Sequence, residues 1–352
     1  MSFNITACIV HVAGFSGSGK TMLIEKALPE LKRQGLYVGV LKHTHHNLSI
    51  DTVRKDTDRF FWAGADYVSI QDDIQIFSRF LHVEGDVQDA LSKFPHGLDL
   101  IIVEGYKGAD LPGVWLVNNG EGEDRHNAES RLYLYRNNPD YFDTFLEFIA
   151  SELARHQAER PVVSGLLIGG KSSRMGRPKT MLEINRGTLV EHMLRTLSRT
   201  SQKTILLGSA ELPATLCTSD RLPDAADGEG PLTGLLSAFR WAPRNTWIIS
   251  AVDMPFMDEE AWQWLLSQRK PGVWAVVPRK EGSETIEATG ACYEPMIFDY
   301  VESIARKGVS RLQSVGNHPK VSKPVIPKNL EKAWRNVNTR EEWEKATAVL
   351  NG

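Results

Sequence analysis

Residues 14 to 21 constrain this chain more than any other segment. They read Gly14-Phe15-Ser16-Gly17-Ser18-Gly19-Lys20-Thr21, which satisfies GxxxxGK[ST] at every fixed position. The apolar run Ala7 to Val12 precedes the loop. Thr21 to Gln34 follows it, with apolar residues at Leu23, Ile24, Ala27, Leu28 and Leu31. A strand, a glycine loop and a helix in that order form a phosphate cradle. Glycines let backbone N–H groups converge on an anion, and the helix adds the positive end of its dipole. Lys20 is expected to reach the terminal phosphates and Thr21 to hold Mg²⁺ through its hydroxyl.

Further apolar runs read as buried parallel strands at Tyr37 to Leu41, Tyr67 to Ile70, Leu98 to Val103 and Val114 to Val117. Glu104 ends one of them, so it should emerge at the carboxyl edge of the sheet as the acidic partner of the metal. Lys42-His43-Thr44-His45-His46 leaves the second strand at the same edge. Adjacent histidines make a poor metal set, so Lys42, His43, His45 and His46 read as contacts to phosphate or a pterin, or as a solvated loop.

A second glycine loop appears after residue 160. An amphipathic helix spans Tyr141 to Ala158, and Glu159-Arg160-Pro161 forms a charged junction. The residues beyond it start afresh, with a strand from Val162 to Ile168. The expected domains are residues 1–158 and 162–352, with few contacts crossing between them. In the second, Thr204 to Leu207, Trp247 to Val252 and Val273 to Val277 read as strands. Leu189 to Leu197, Leu232 to Trp241 and Arg340 to Leu350 read as helices, the last capped by a Thr339/Glu342 capping box. The loop runs Leu167-Ile168-Gly169-Gly170-Lys171-Ser172-Ser173-Arg174-Met175-Gly176-Arg177-Pro178-Lys179. Its glycines allow a triphosphate to approach, Arg174 can clamp phosphate oxygens, and Lys179 supplies a point charge. Asp253 ends the run Trp247 to Val252 and offers a carboxylate to Mg²⁺.

The rest of the composition narrows the setting. The 352 residues carry a formal charge of −3, which gives no bulk electrostatic case for nucleic acid or a membrane surface. Cys8, Cys217 and Cys292 are odd in number and widely spaced, which suits a reducing compartment. Met1-Ser2-Phe3-Asn4 lacks the basic start of a signal peptide, and no apolar run approaches the roughly 18–20 residues that span a bilayer. A cytoplasmic protein is expected.

The first loop, Lys42-His43-Thr44-His45-His46, Ala63-Gly64-Ala65 and Val103-Glu104-Gly105-Tyr106-Lys107 together resemble the molybdopterin-guanine dinucleotide biosynthesis adaptor proteins over about the first 150 residues. Asp51-Thr52-Val53-Arg54-Lys55-Asp56 departs from that family, which more often has a Pro-Gly step there. The second half resembles the molybdenum cofactor guanylyltransferases. That likeness rests on Gly169-Gly170…Arg174-Met175-Gly176…Lys179, Gly230-Pro231-Leu232-Thr233-Gly234, Asp253-Met254-Pro255 and Asn336-Val337-Asn338-Thr339.

The resemblances imply an α/β fold: a P-loop NTPase-type sheet followed by a Rossmann-like three-layer nucleotidyltransferase sandwich. They also imply transfer of GMP from GTP to molybdopterin with loss of pyrophosphate, Mg²⁺ as cofactor, and a GTP-binding adaptor domain with room for weak GTPase activity. Molybdoenzymes or upstream cofactor-synthesis proteins are the implied partners. By position, Leu167, Gly169, Gly170, Lys179, Asp224 and Asp253 would bind GTP, Arg174, Lys179 and Asp253 would serve catalysis, and Asn336 and Asn338 would line the cofactor side. Leu206-Leu207-Gly208-Ser209 lacks the guanine-contacting asparagine that family members can carry, so base recognition has to lean on backbone groups. The competing readings are a cytidylyl or sugar-phosphate nucleotidyltransferase fused to a P-loop protein, and a non-catalytic cofactor-binding adaptor.

Overall fold

The computed structural model describes residues 5–44, 56–65, 67–80, 86–106, 108–118, 131–169, 177–184, 187–226 and 230–350. His45, His46, Gly170 and Arg174, and most of the departing segment at 51–56, lie outside the described residues.

The first half is built on a five-stranded parallel sheet. Its elements run β1 (Cys8–Gly14), α1 (Lys20–Arg33), β2 (Val38–Lys42), α2 (Asp56–Trp62), β3 (Tyr67–Gln71), β4 (Ile76–Phe80), α3 (Val87–Leu91), β5 (Leu100–Glu104), β6 (Gly113–Val117), β7 (Arg131–Tyr135) and α4 (Tyr141–Glu159). The strand order is β2-β5-β1-β6-β7, and every pairing is parallel. β5 and β6 are buried along their whole length, as continuous apolar strands covered on both faces should be. Leu23, Ile24 and Ala27 of α1 pack with Phe145 and Ile149 of α4 against one face of the sheet. Val87 and Leu91 of α3 cover the other.

The expected strand at Tyr67 to Ile70 is present but does not join this sheet. β3 pairs antiparallel with β4 as a separate hairpin, and Tyr67, Ile70 and Ile76 are exposed. The reason is local. Asp72 accepts hydrogen bonds from the backbone of Ile74 and Gln75 at 2.8 and 2.7 Å, so the chain turns back at once. The β-branched and aromatic composition marked a strand without marking its burial.

The second half contains β8 (Val162–Leu167), β9 (Glu183–Ile184), β10 (Gly187–Thr188), α5 (Leu189–Leu197), β11 (Lys203–Leu207), β12 (Arg221–Leu222), α6 (Pro231–Trp241), β13 (Thr246–Ala251), α7 (Glu259–Ser267), β14 (Ala275–Val276), β15 (Ala291–Tyr293), α8 (Phe298–Arg306), β16 (Val321–Ser322) and α9 (Arg340–Leu350). Seven strands form one mixed sheet in the order β12-β11-β8-β13-β15-β14-β16. α6 and α8 bury Leu235, Phe239 and Val301 on one face. α5 and α7 bury Val190, Met193 and Trp262 on the other. The result is the three-layer sandwich expected. The capping box at α9 forms, with Thr339 N–H donating to Glu342 at 3.1 Å and Glu342 N–H donating to Thr339 Oγ1 at 3.2 Å.

The junction at Arg160 is not the sparsely crossed linker its charge implied. Arg160 is buried and donates to Glu294 at 2.9 Å and to the Thr6 carbonyl at 2.8 Å. Glu294 also accepts from Arg269 at 2.6 Å and Thr246 at 2.8 Å. Burial raises the Glu294 pKa, but Arg269 and Arg160 outweigh it and hold the carboxyl below its ordinary value. Asp99 of the first half also accepts from Trp274 Nε1 and Lys320 Nζ, both at 2.6 Å. A sequence shows that these residues are charged, but not that they meet across 134 and 221 positions.

Candidate functional site

Two cavities open at carboxyl ends of strands, one in each half. The first, of about 1030 Å³, is lined by the glycine loop together with Thr21, Lys42, His43, Asp86, Glu104 and Tyr106. The loop closes tightly because Gly14 sits at φ +143, where a Cβ would meet the Leu116 carbonyl oxygen at 2.6 Å. α1 then begins at Lys20, after Gly19 in the left-handed region. The Lys20 ammonium folds over the loop and donates to the carbonyls of Gly14 at 3.1 Å and Phe15 at 2.6 Å.

β5 and β2, neighbours in the sheet, deliver Glu104 and Lys42 side by side. Thr21 Oγ1 donates to Glu104 Oε1 at 2.9 Å, and Lys42 Nζ donates to Thr21 Oγ1 at 3.0 Å and to Glu104 Oε1 at 3.1 Å. A hydroxyl and a carboxylate that share one cation are the hard oxygen donors Mg²⁺ prefers. Among the described residues no three His, Cys, Asp or Glu side chains gather into a metal cluster. A Mg²⁺ at this position would therefore take its remaining ligands from phosphate and water.

Arg136, just beyond β7, is a residue the sequence reading missed. Its guanidinium packs against the loop, 3.0 Å from where a Gly19 side chain would begin. The alternation Arg131-Leu132-Tyr133-Leu134-Tyr135 was the available signal for the strand that presents it.

The second cavity, of about 650 Å³, is lined by Leu167, Gly169, Lys179, Asp224, Gly230, Asp253, Thr289 and Asn336, among others. β8, β11 and β13 run parallel here, so their carboxyl ends open on one crevice. Lys179 Nζ donates to Asp253 Oδ2 at 2.8 Å and to Asn338 Oδ1 at 2.7 Å. Val337 N–H donates to the Asp253 carbonyl at 2.8 Å, so the asparagine segment is stitched to the strand end that carries the acid. Lys179-Thr180 looks like the end of a second phosphate loop, but Pro178 precedes it and Thr180 is buried, donating to the Glu211 carbonyl at 2.6 Å. Asp224 stands beside the turn at Gly208. Its carboxylate lies 3.4 Å from the position a Gly208 Cβ would take, and it accepts from Thr233 Oγ1 at 3.2 Å. Thr289 was not singled out in the sequence.

Fold and sites define a protein built to handle nucleotides, with a phosphate-loop sheet in its first half and a nucleotidyltransferase-type sandwich in its second. Comparison with known proteins makes this specific. Residues 9–134 match the family model of molybdopterin guanine dinucleotide synthesis protein B (MobB), and residues 165–327 match the MobA-like NTP transferase domain. The first half belongs to the adapter family, and the second half matches the transferase domain, in that order from N to C terminus.

It is 37% identical over 111 residues to the molybdopterin-guanine dinucleotide biosynthesis adapter protein of Haemophilus influenzae, covering 31% of this chain and 62% of that protein. To the Escherichia coli K12 adapter protein it is 34% identical over 118 residues, or 32% of this chain and 67% of that one. A probable molybdenum cofactor guanylyltransferase of Bacillus thuringiensis is 26% identical over 195 residues, covering 53% of this chain and 96% of that protein. The chain thus spans less than two thirds of the Haemophilus adapter it matches. No helix among the described residues is long and apolar enough to cross a membrane.

Proposed function

We propose that the chain is a molybdenum cofactor guanylyltransferase with a fused GTP-binding domain. It would transfer GMP from GTP to molybdopterin and release pyrophosphate. The observation that carries this reading is the convergence of Lys179, Asp253 and Asn338 on one crevice edge that also holds Gly169 and Asp224.

The reaction joins a terminal phosphate oxygen of molybdopterin to the α-phosphorus of GTP, so positioning and charge neutralisation dominate the barrier. Lys179 holds the triphosphate, with Arg174 and Gly170 as further phosphate contacts. Asp253 holds Mg²⁺, which would neutralise charge at the phosphate under attack. Asp224 supplies what the missing asparagine does not, because a carboxylate at the Gly208 turn can accept guanine's N1–H and 2-amino protons together. Asn336 and Asn338 form the acceptor-side wall. In the first domain, residues 14 to 21 cradle GTP, Lys42 neutralises its terminal phosphates, and Thr21 with Glu104 would hold Mg²⁺. Weak GTP hydrolysis there is compatible with the acid beside the metal position.

Incubating the protein with molybdopterin, Mg²⁺ and each nucleoside triphosphate in turn tests this reading. The expected product is the guanine dinucleotide, with none when Mg²⁺ is chelated. A cytosine dinucleotide, or no dinucleotide from any triphosphate, would overturn it.

A further inference from the structure

Tyr106 is the one non-glycine residue with positive φ among the described residues, at +45°. Left-handed backbone is unfavourable for a tyrosine and persists only where the surroundings impose it. Here they do. His11, fully buried in β1, places Nε2 2.5 Å from the Gly105 carbonyl oxygen. Ala109 N–H donates to the Tyr106 carbonyl at 2.8 Å. Gly105 itself lies at φ +96, where a Cβ would come within 3.0 Å of the His43 carbonyl oxygen. The outcome is a Tyr106 ring packed against His43 in a tilted pair, with centroids 4.3 Å apart and planes at 36°, and both residues lining the first cavity.

The position of this pair says what it can serve. Thr21, Glu104 and Lys42 mark the metal-binding end of a bound triphosphate, between its two outer phosphates. His43 follows Lys42 directly, and Tyr106 lies two residues beyond Glu104. The rings therefore stand past the terminal phosphate, on the β2–β5 side of the sheet. A triphosphate whose outer phosphates met Thr21, Glu104 and Lys42 would carry its nucleoside away from them, toward the β6–β7 side where Arg136 packs on the loop. An aromatic pair at the phosphate end would then not serve that nucleotide's own base. The cavity, at about 1030 Å³, reaches the top of the roughly 300–1,000 Å³ range of small-molecule sites. Asp86 and Val87 also line it, giving a carboxylate and an apolar side chain.

We propose that this cavity holds two ligands at once: a nucleoside triphosphate on the glycine loop, and beside its terminal phosphate a planar, amino-substituted heteroaromatic ring stacked on the Tyr106–His43 pair, with Asp86 accepting its ring N–H groups. The proposal rests on the reading that the loop holds a nucleoside triphosphate. Its ring chemistry is met by a pterin or by the base of a second guanine nucleotide.

Equilibrium dialysis of the full chain tests it, with pterin (2-amino-4-hydroxypteridine) in one arm and GMP in the other, at saturating Mg²⁺ and a non-hydrolysable GTP analogue. Wild type is compared with Tyr106→Phe and with Tyr106→Gly, which removes the ring while relieving the backbone. We expect one of the two ligands to lose roughly ten-fold in affinity in Tyr106→Gly and to keep it in Tyr106→Phe, because stacking depends on the ring alone. The arm that responds identifies the source. The proposal is overturned if neither arm responds, or if the GTP analogue loses affinity in parallel, since the ring would then serve the nucleotide. Analogue binding that ignores Lys20→Ala sinks the underlying nucleotide reading instead, and that titration is scored separately.

Discussion

Lys179 reaches Asp253 at 2.8 Å across 74 positions of sequence, and Lys42 holds Glu104 at 3.1 Å in the other half. Each ammonium also takes a neutral oxygen, from Asn338 at 2.7 Å and from Thr21 at 3.0 Å. Two unrelated sheets have reached the same arrangement: a strand-end carboxylate whose charge is balanced by a lysine. A metal-bound triphosphate would offer the carboxylate a cation and the ammonium a phosphate, so each charge would exchange one partner for another without the penalty of a half-buried lone ion.

Asp253→Ala should reduce dinucleotide formation by roughly a hundred-fold or more, the scale of losing a group that stabilises transition-state charge. The side chain sits at a strand end and leaves no core cavity, so the melting temperature should stay near that of wild type. Product formation and thermal melting, measured on the same preparation, check this. Near-normal activity at ordinary Mg²⁺ removes Asp253 from the metal site.

Lys20→Ala should weaken GTP binding to the first domain by roughly ten- to a hundred-fold, the equivalent of about 1.5–3 kcal/mol for a hydrogen bond to a charged group. Transfer at saturating GTP should change by no more than a few-fold, because Lys20 lines the first cavity and not the second. Fluorescent-nucleotide titration beside a transfer assay separates the two effects. A collapse of transfer would make the loop part of the catalytic unit.

The first loop and the ends of the strands that carry Glu104 and Asp253 were legible in the sequence because each is a local pattern: glycines at fixed spacing, or an apolar run ending in one carboxylate. Helices α5 and α9 could be read to the residue, since their caps and apolar stripes are also local. Long-range pairing was not legible. The Asn338–Lys179 bond spans 159 positions. Asp224 beside Gly208 depends on β12 pairing with β11, and β12 is two residues long. The hairpin of β3 and β4 failed for the converse reason, since its composition spoke of burial and its neighbours did not supply it. Tyr106 shows the third limit, because its backbone conformation is imposed by His11 and His43 and not by its own preference.

Asp224→Asn should loosen guanine selectivity in the transfer reaction. The amide keeps one acceptor for the ring N–H and gains a donor, which opposes guanine's 2-amino group and suits the carbonyl that xanthine has in its place. Loss of a paired acceptor in a base-reading site costs large factors in discrimination. The expected result is a fall in kcat/KM for GTP and a rise for xanthosine triphosphate. Unchanged preference would show that the base is read elsewhere.

Stability should fall as the solution is acidified below about pH 6.5. Burial lowers the pKa of His156, with help from Arg160 and Arg155, and burial followed by Lys320 lowers that of His318. Both imidazoles start from an ordinary value of 6.5. The unfolded chain therefore takes up protons first, so their contribution is complete above 6.5 and is lost as the pH falls through the folded values. Each residue adjoins a contact between the halves: His156 contacts the Thr6 carbonyl at 3.1 Å, which Arg160 also reaches, and His318 stacks on Trp274 at 4.9 Å, which donates to Asp99. Melting curves between pH 8 and pH 5 (~0.5 steps) should show the decline, and His156→Gln with His318→Gln should flatten it. A slope unaffected by the double variant would assign the effect to other groups.

The interface makes a point substitution more damaging than a cut. Asp99 and Lys320 are both buried, with side chains 1% and 7% exposed. Asp99→Ala in the full chain would strand the Lys320 ammonium without its carboxylate, at a cost of about 3–5 kcal/mol. A fragment beginning at Pro161 loses the same partner but opens Lys320 and Trp274 to water, which solvates the ammonium. It also keeps the Arg269–Glu294 pair at 2.6 Å and the whole seven-stranded sheet. The fragment should therefore fold and retain transferase activity, with a melting temperature above that of the full-length Asp99→Ala variant's first transition. Denaturation of both proteins, with the transfer assay run on the fragment, decides between the alternatives. An insoluble or inactive fragment, beside a folded full-length control, would mean that the two halves form one cooperative unit and that residue 160 is not a domain boundary.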